Sequence, residues 1–458
     1  MKIIILGAGQ IGGTLAEHLT SEDNDITIVD EDIKILQSLD EKLDVRAIVG
    51  HAALPSVLRR AGAEDADMVL AVTNSDETNM LACQIAYTLF NTPMKIARVR
   101  NAEFELYKAE LFDNRAIPID VLISPEQLIT RYVKRLIEYP GALQVLDFAN
   151  GLVQCVGLRA VKGAPLVGRA LKNLHIHMPS VKTRIAAIFR HDKSIKPEGE
   201  TIIQADDEVF FICEKSEVRE VMSEMRGIDA PYKRIMIAGG GNIGLNVAKT
   251  LEKQYHIKII DHGQPRCRSL AEQLNKTVVL CGDAADKNLL YNENIEETDV
   301  FCALTNDDET NIMSATLAKR MGARKVMALI NRPAYVDLIE GGEIDIAISP
   351  QQATISSLLT HIRRGDIAQV HSLRRGAAEA IEAVAHGTFE TSKVVGRKIV
   401  DLKLPPGTTI GVIVRGEEIL PGHGDTVIEA DDHVILFVTD RRHIKDVERL
   451  FQVAINFF

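Results

Sequence analysis

The sequence lacks any apolar stretch long enough to span a bilayer. Its longest runs, such as Val434 to Val438 and Ile3 to Leu6, stop far short of the ~20 residues a spanning helix needs. The N-terminus carries one Lys2 and a short apolar run that ends at Gly7. It has no h-region or small-residue cleavage site, so the chain is expected to stay where it is made. The six cysteines form no C-x-x-C pair, and several fall in apolar runs of strand type. They are expected to be reduced core thiols of a cytosolic protein. Among 13 histidines the only close pair is His175-x-His177, with no H-E-x-x-H and no clustered Cys/His set, so no metal site is expected. Positive charge is also short. Lys+Arg 53 against Asp+Glu 64 leaves a net charge of -11, which argues against the broad basic surface of a nucleic-acid binder. Arg363-Arg364 and Arg374-Arg375 are either solvated helix ends or a local patch for an acidic partner or lipid headgroups.

What is present is ordinary globular material: hydrophobic residues make up 46% and charged residues 26%, so a packed core rather than disorder is expected. At roughly 150 residues per domain, 458 residues suggest about three domains. Self-comparison sharpens that figure. Residues 2–19 laid on 234–251 are identical at eight of eighteen positions, and Ala71 to Asn79 laid on Ala303 to Asn311 at seven of nine. Farther along, Ile123-Ser-Pro-Glu-Gln127 meets Ile348-Ser-Pro-Gln-Gln352, and Ala205-Asp-Asp-Glu-Val209 meets Ala430-Asp-Asp-His-Val434. The whole architecture is present twice.

Each copy divides in two. Short β-rich runs (Lys2 to Leu6, Asp25 to Val29, Met68 to Val72, Lys95 to Val99) alternate with helix-period segments such as Ile11 to Leu19, the βαβ pattern of a parallel sheet covered on both faces. Shorter runs between turns follow (Gln144 to Phe148, Val153 to Leu158, Ile185 to Phe189, Val209 to Ile212) and predict a small α+β domain. The predicted fold is therefore α/β: two tandem Rossmann-like, doubly wound domains at 1–123 and 232–348, each followed by a small α+β domain, at 143–227 and 368–453. Pro125 to Glu138 and its counterpart Pro350 to Ile362 are amphipathic helices, buried either within their own chain or as crossover elements on another subunit.

The chemistry is concentrated at two Gly-rich turns. Lys2 to Leu6 runs into Gly7-Ala8-Gly9-Gln10-Ile11-Gly12 and then a helix, and the next strand ends at Asp30. In this arrangement the first glycine makes the tight turn, the second lets a pyrophosphate approach the backbone, and the third lets helix and strand pack closely. Helix N–H groups and the positive end of the dipole face the phosphates. The second copy repeats each part with Gly239-Gly240-Gly241-Asn242-Ile243-Gly244 and Asp261. An acid at the ribose accepts from a 2′-hydroxyl and repels a 2′-phosphate, favouring NAD(H) or adenosine nucleotides over NADP(H).

Other candidates lie at carboxyl ends of strands, where ligands of open α/β sheets bind: Thr73-Asn74 with Thr305-Asn306, and Arg98, whose counterpart is Leu329. The Thr-Asn-x-Asp-Glu-Thr segments also serve as a turn with a helix cap. The two sites should differ in how many phosphates they neutralise. His51 after Gly50, matched by Asp283 after Gly282, is expected in a loop near the nucleotide.

A dehydrogenase of this size usually devotes half its chain to a substrate domain that brings acid, base or Arg to the nicotinamide. Here the second half repeats the first, and the small domains carry no catalytic motif. A sensor rather than an enzyme is expected. A redox-sensing transcription regulator would need a helix-turn-helix and a basic face, and neither is found.

The order of G-x-G-x-x-G, Asp, Gly-His or Gly-Asp, and Thr-Asn-x-Asp-Glu-Thr-Asn, followed by a small domain with Ala-Asp-Asp-x-Val, resembles the RCK domains that regulate potassium conductance. Two such pairs in one chain, with residues 136–144 (LIEYPGALQ) and 373–384 (LRRGAAEAIEAV), are similar to the regulatory subunits of Trk potassium uptake systems. The resemblance spans essentially all 458 residues. It implies a non-enzymatic subunit that binds NAD(H) and ATP/ADP at Gly7, Gly9, Gly12, Asp30, Thr73, Asn74 and Arg98, with Gly239, Gly241, Gly244 and Asp261 in copy two. It further implies a peripheral location on the cytoplasmic side of the inner membrane, held by a potassium-translocating membrane subunit. Eight domain pairs commonly form a ring in that family, so two per chain would assemble as a homotetramer.

Overall fold

The computed structural model describes residues 1–20, 24–179, 181–191, 193–339, 342–362, 367–373 and 378–453. Arg363-Arg364 and Arg374-Arg375 lie outside the described residues. The chain forms two compact units: Met1–Ile129 with Ser349–Leu358, and Thr130–Ile348 with Leu359–Phe458.

The first unit is built on a parallel sheet of β1 (Lys2–Leu6), β2 (Asp25–Asp30), β3 (Arg46–Val49), β4 (Met68–Ala71), β5 (Met94–Arg98) and β6 (Val121–Ile123), in the order β3-β2-β1-β4-β5-β6. All five pairings are parallel. The order reverses between β2-β1 and β4, the switch point at which doubly wound sheets bind ligands. β4, and β1 beyond Lys2, are apolar and buried, as strands of a parallel sheet covered on both faces are. Edge strand β3 is only half-buried, and three-residue β6 carries too little pattern to be read from the sequence.

The second unit contains three sheets. β7 (Ala142–Phe148), β8 (Val153–Arg159), β9 (Arg184–Arg190), β10 (Lys193–Ile195) and β11 (Glu208–Glu214) form an antiparallel sheet ordered β10-β9-β11-β8-β7. A second parallel sheet, β14-β13-β12-β15-β16-β17, repeats the first with β12 (Arg234–Ala238), β13 (His256–Asp261), β14 (Val278–Cys281), β15 (Val300–Ala303), β16 (Lys325–Leu329) and β17 (Ile346–Ile348). Finally β18 (Ile367–Leu373), β19 (Ala378–Val384), β20 (Thr408–Arg415), β21 (Glu418–Pro421) and β22 (His433–Val438), ordered β18-β19-β22-β20-β21, reproduce the first antiparallel sheet.

The inner antiparallel strands β8, β11 and β22 are buried almost continuously rather than on alternate residues. The alternation of side chains explains why. In β11, Val209, Phe211 and Cys213 face a core closed by Val221 and Met225 of the helix Val218–Arg226. Phe210 and Ile212 point the other way, where Phe148 and Phe189 of the same small domain meet Val412, Val414 and Phe437 of the other. The two small domains thus share one core, and Gln144 and Ala149 also cross it, donating to the Ser372 carbonyl and Glu382. Burying each such aromatic contributes roughly 1.5 to 3 kcal/mol.

Part of the second crossover helix packs against the opposite copy of the chain. Residues 350–358 of the helix Pro350–Ile362 belong to the first unit. There the buried Gln351 donates to the Gln10 carbonyl at 3.0 Å and to Thr14 at 2.7 Å. The helix is buried within its own chain, but against the opposite copy.

One expectation needs correction. Five cysteines are buried, but Cys281 is exposed, because β14 is the edge strand of its sheet.

Candidate functional site

In the first copy the backbone turns sharply at Gly7, whose φ of +103° suits glycine and whose absent Cβ would lie 3.0 Å from the Thr73 backbone. Gly12 sits where the helix Gln10–Thr20 crosses the strand end: a Cβ there would lie 1.8 Å from the Gly7 carbonyl oxygen. Gly9 faces open space, with nothing within 4 Å of its Cβ position. Helical bonding starts with Gly13 N–H to the Gly9 carbonyl, so the first-turn N–H groups of Gln10, Ile11 and Gly12 are directed beyond the helix. The second copy matches part by part. Gly239 has φ +103°, Gly244 would place a Cβ 1.9 Å from the Gly239 oxygen, and Gly241 is open.

The acids at the strand ends are held by the turns they face. Ala8 N–H donates to Asp30 Oδ2 at 2.6 Å and Asp32 N–H to Oδ1 at 2.9 Å. In copy two Gly240 and Gly263 donate to Asp261 at 2.8 and 2.9 Å. Each carboxylate oxygen retains a lone pair for a sugar hydroxyl. Among the described residues no group of three or more His, Cys, Asp or Glu could hold a metal ion.

Thr73 and Thr305 lie two residues beyond β4 and β15, beside the first glycines, and Asn74 and Asn306 are exposed next to them. Sequence reasoning missed what fixes this corner. Asn79, fully buried, accepts from the Thr73 N–H at 2.9 Å and its hydroxyl at 2.7 Å, and donates to the Arg98 carbonyl at 2.8 Å. Asn311 makes the same bonds to Thr305 and to the Leu329 carbonyl at 2.9 Å. One side chain thus ties two neighbouring strand ends together. Asp76 and Asp308 add a second tie, accepting from the backbone N–H groups of Arg100 and Asn101 and of Asn331 and Arg332. The Thr-Asn-x-Asp-Glu-Thr-Asn repetition contained all four residues. Ser75 and Asp307 cap the following helices, accepting from Thr78 and Thr310, so the cap reading of that segment also holds.

His51 and Asp283 do local work: His51 Nδ1 accepts from the Ala53 N–H at 3.2 Å and Asp283 from the Ala285 N–H at 2.8 Å. Each shapes the turn after its strand.

The charge around the two cradles differs. Arg98 in copy one is half-buried, and its Nε is enclosed without a hydrogen-bond partner. Burial and then the neighbouring Arg100 lower its pKa, against the pull of Glu126 and Asp76. A buried unsatisfied cationic donor is costly without an anion, and together with the open cradle at Gly9 it fits a phosphate-bearing ligand. Copy two has Leu329 there, but five residues beyond Asp261 Arg266 reaches back, its Nε donating to the Gly240 carbonyl at 2.6 Å. Five residues beyond Asp30 stands Ile35, 39% exposed. The cation has moved from the β5 side of the turn to the β13 side.

Comparison with known proteins gives a consistent picture. The TrkA-N domain model matches residues 3–125 and 235–350, and the TrkA-C domain model matches 155–226 and 390–452. The chain is 62% identical over 458 residues, the full length of both chains, to a Trk system potassium uptake protein TrkA of Halomonas elongata. It is 62% identical over 452 residues, 99% of both chains, to that of Vibrio alginolyticus. Among solved structures, the GsuK RCK domain superposes with a TM-score of 0.61 at 20% identity, covering 98% of this chain and 94% of that one. A GsuK channel bound to NAD superposes with a TM-score of 0.62 at 20% identity, covering 98% and 78%.

Proposed function

The chain belongs to the TrkA family of Trk potassium uptake proteins, and from that premise we propose that it is a nucleotide-sensing regulatory subunit that gates a potassium-translocating membrane partner. The observation that carries this reading is the pair of complete cradles, each with its glycines, first-turn N–H groups and acid in place. A GsuK channel of similar fold, bound to NAD, supports the ligand class. The first site is formed by residues 7–12 with Asp30, Thr73, Asn74 and Arg98, and His51 shapes its rim. The second is formed by residues 239–244 with Asp261, Thr305 and Asn306, and Asp283 at the matching rim. Both take NAD(H) or ATP/ADP through the same contacts: N–H groups to pyrophosphate, carboxylate to ribose.

The sequence-derived domain bounds, 1–123, 143–227, 232–348 and 368–453, describe a chain with two sensor modules and two assembly modules. Four such chains make an eight-domain ring on the cytoplasmic face of the inner membrane. Among the described residues no helix is long and apolar enough to cross a membrane. Shifting a pore from 1:99 to 99:1 needs about 5.5 kcal/mol of differential binding. Shared among four first sites this is about 1.4 kcal/mol each, or tenfold per site. One phosphate contact made in only one ring shape supplies that much.

The deciding experiment is potassium flux through the reconstituted membrane partner with and without this chain while nucleotide is titrated. A steep nucleotide response that weakens in Asp30→Ala is expected. Flux indifferent to both the chain and the nucleotide would end the reading. With NADH and a panel of carbonyl acceptors the reduced-nicotinamide absorbance should stay flat, since no acid–base pair accompanies either turn; turnover would instead make the protein an oxidoreductase.

A further inference from the structure

The second cradle carries a thiol pair that the first lacks. Cys267 lies in the first turn of the helix Gln264–Gln273, next to Arg266, and Cys281 ends the edge strand β14. Parallel pairing places Cys281 beside Asp261. Cys267 Sγ donates to the Asp261 carbonyl at 3.3 Å and reaches the Leu280 carbonyl at 3.9 Å. Leu280 immediately precedes Cys281, so the Cys267 sulfur lies against the strand end that carries Cys281. The equivalent places in copy one, six residues beyond Asp30 and opposite it on β3, hold Leu36 and Val49. Packing alone is therefore served by aliphatic side chains at these places.

We propose that Cys267 and Cys281 form a reversible disulfide, closed by hydrogen peroxide, that weakens nucleotide binding at the second site. The proposal rests on the nucleotide reading of that site. Cys281 is the exposed thiol of the six and so meets the oxidant first. Its thiolate attacks one peroxide oxygen. The S–O bond forms, the O–O bond breaks, and the departing hydroxide takes up the thiol proton to leave as water. Cys267 then attacks the Cys281 sulfur: the S–S bond forms, the S–O bond breaks, and the second water leaves with the Cys267 proton. Two thiols and one peroxide become one disulfide and two waters. Burial first, and then Cys281, push the Cys267 thiol up to about 11, which suits it to the slower resolving step.

Closure acts on the cradle through the helix. A disulfide needs its sulfurs at about 2.0 Å, well inside hydrogen-bond contact, so the first helical turn is drawn toward the edge strand. That turn carries Arg266, whose Nε holds the Gly240 carbonyl. Cys267 also gives up its bond to the Asp261 carbonyl. The ribose acid and the Gly-rich turn are both released from the geometry that the reduced state fixes.

The test uses the full chain, fully reduced, then treated with stoichiometric hydrogen peroxide, alkylated, digested and weighed. A cross-linked peptide joining Cys267 to Cys281, lighter by two hydrogens than its parts, is expected. It should be absent in Cys281→Ser and reversed by a thiol reductant. NADH titration in an Asp30→Ala background, where the second site dominates, should show affinity about tenfold weaker after oxidation. Cys281→Ser should bind like the reduced parent before and after peroxide. No cross-link, or a cross-link with unchanged affinity, overturns the proposal. If the reduced protein takes up no NADH at the second site, the nucleotide reading fails, and the cross-link is still judged by mass.

Discussion

The two Gly-rich turns share their geometry and differ in their chemistry. The first glycines share a φ of +103°, and the acid and the buried Asn79 and Asn311 bonds agree to within a few tenths of an ångström. Yet Arg98 becomes Leu329, Ile35 becomes Arg266, and Leu36 with Val49 becomes Cys267 with Cys281. Backbone shape is set by positions where any added atom collides, so duplication leaves it alone. Charges and thiols sit on side chains around that backbone, and there the copies have diverged.

That contrast can be broken most sharply at the third glycines. Gly12→Ala or Gly244→Ala would force a methyl to within 1.8 or 1.9 Å of a carbonyl oxygen, and should each destabilise the protein on the order of 3 kcal/mol. Gly9→Ala and Gly241→Ala, with open space, should leave urea midpoints unchanged while weakening nucleotide binding. Equal midpoints for all four variants would remove the distinction between packing and ligand glycines.

A second contrast lies in two buried lysines at the starts of β5 and β16. Lys95 pairs with Asp120 at 2.8 Å. Lys325 donates to the Ala142 carbonyl at 2.6 Å, and burial depresses its pKa from 10.5 to about 8 despite the pull of Asp345 and Asp229, with Arg226 and Lys319 adding to the depression. Between those values the unfolded chain holds the proton and the folded chain does not. Stability should therefore rise with pH from about 8 to 10.5. The gain is on the order of 3 kcal/mol at most. The parent should gain on Lys325→Met across that window in urea titrations.

Nearly as large is the effect expected at the ribose acids. Asp30→Ala should weaken nucleotide binding at the first site by about tenfold to a hundredfold, roughly 1.5 to 3 kcal/mol. Asp261→Ala should do so at the second only. Calorimetry with unchanged affinity and stoichiometry in both would sink the assignment.

The smallest expected effect concerns the relocated cation. Arg98→Leu should narrow the preference for ATP over ADP at the first site by about 1 kcal/mol, and Leu329→Arg should widen it at the second. Equal binding of ATP and ADP at the parent's first site would show that Arg98 meets no terminal phosphate.

The parallel sheets, the Gly-rich turns and the acids were legible because each is specified by neighbours along the chain: a run of apolar residues, three glycines, an Asp at a strand end. What was not legible depends on chain crossings. Asn79 reads as an ordinary helix residue until β5 is placed beneath it, where it meets the Arg98 carbonyl. Cys281 reads as core until β14 becomes an edge. Near-continuous burial of the inner antiparallel strands follows from a second small domain on their outer face, which no period within one strand announces.

Gln351 and its segment carry a consequence for how the chain is made. The first unit draws on Met1–Ile129 and again on Ser349–Leu358, and the bonds from Gln351 to Gln10 and Thr14 span 341 and 337 residues. During synthesis, the unit must wait for more than two hundred further residues after Ile129. At about 5 to 20 residues per second, that is a delay of roughly 10 to 50 s. The helix that begins at Gln10 emerges first from the ribosome, yet its partner arrives when three-quarters of the chain is already outside. The nascent N-terminal sheet must therefore persist in an unfinished form, its helix surface at Thr14 uncovered, for the time it takes to translate the rest of the first copy and about half of the second.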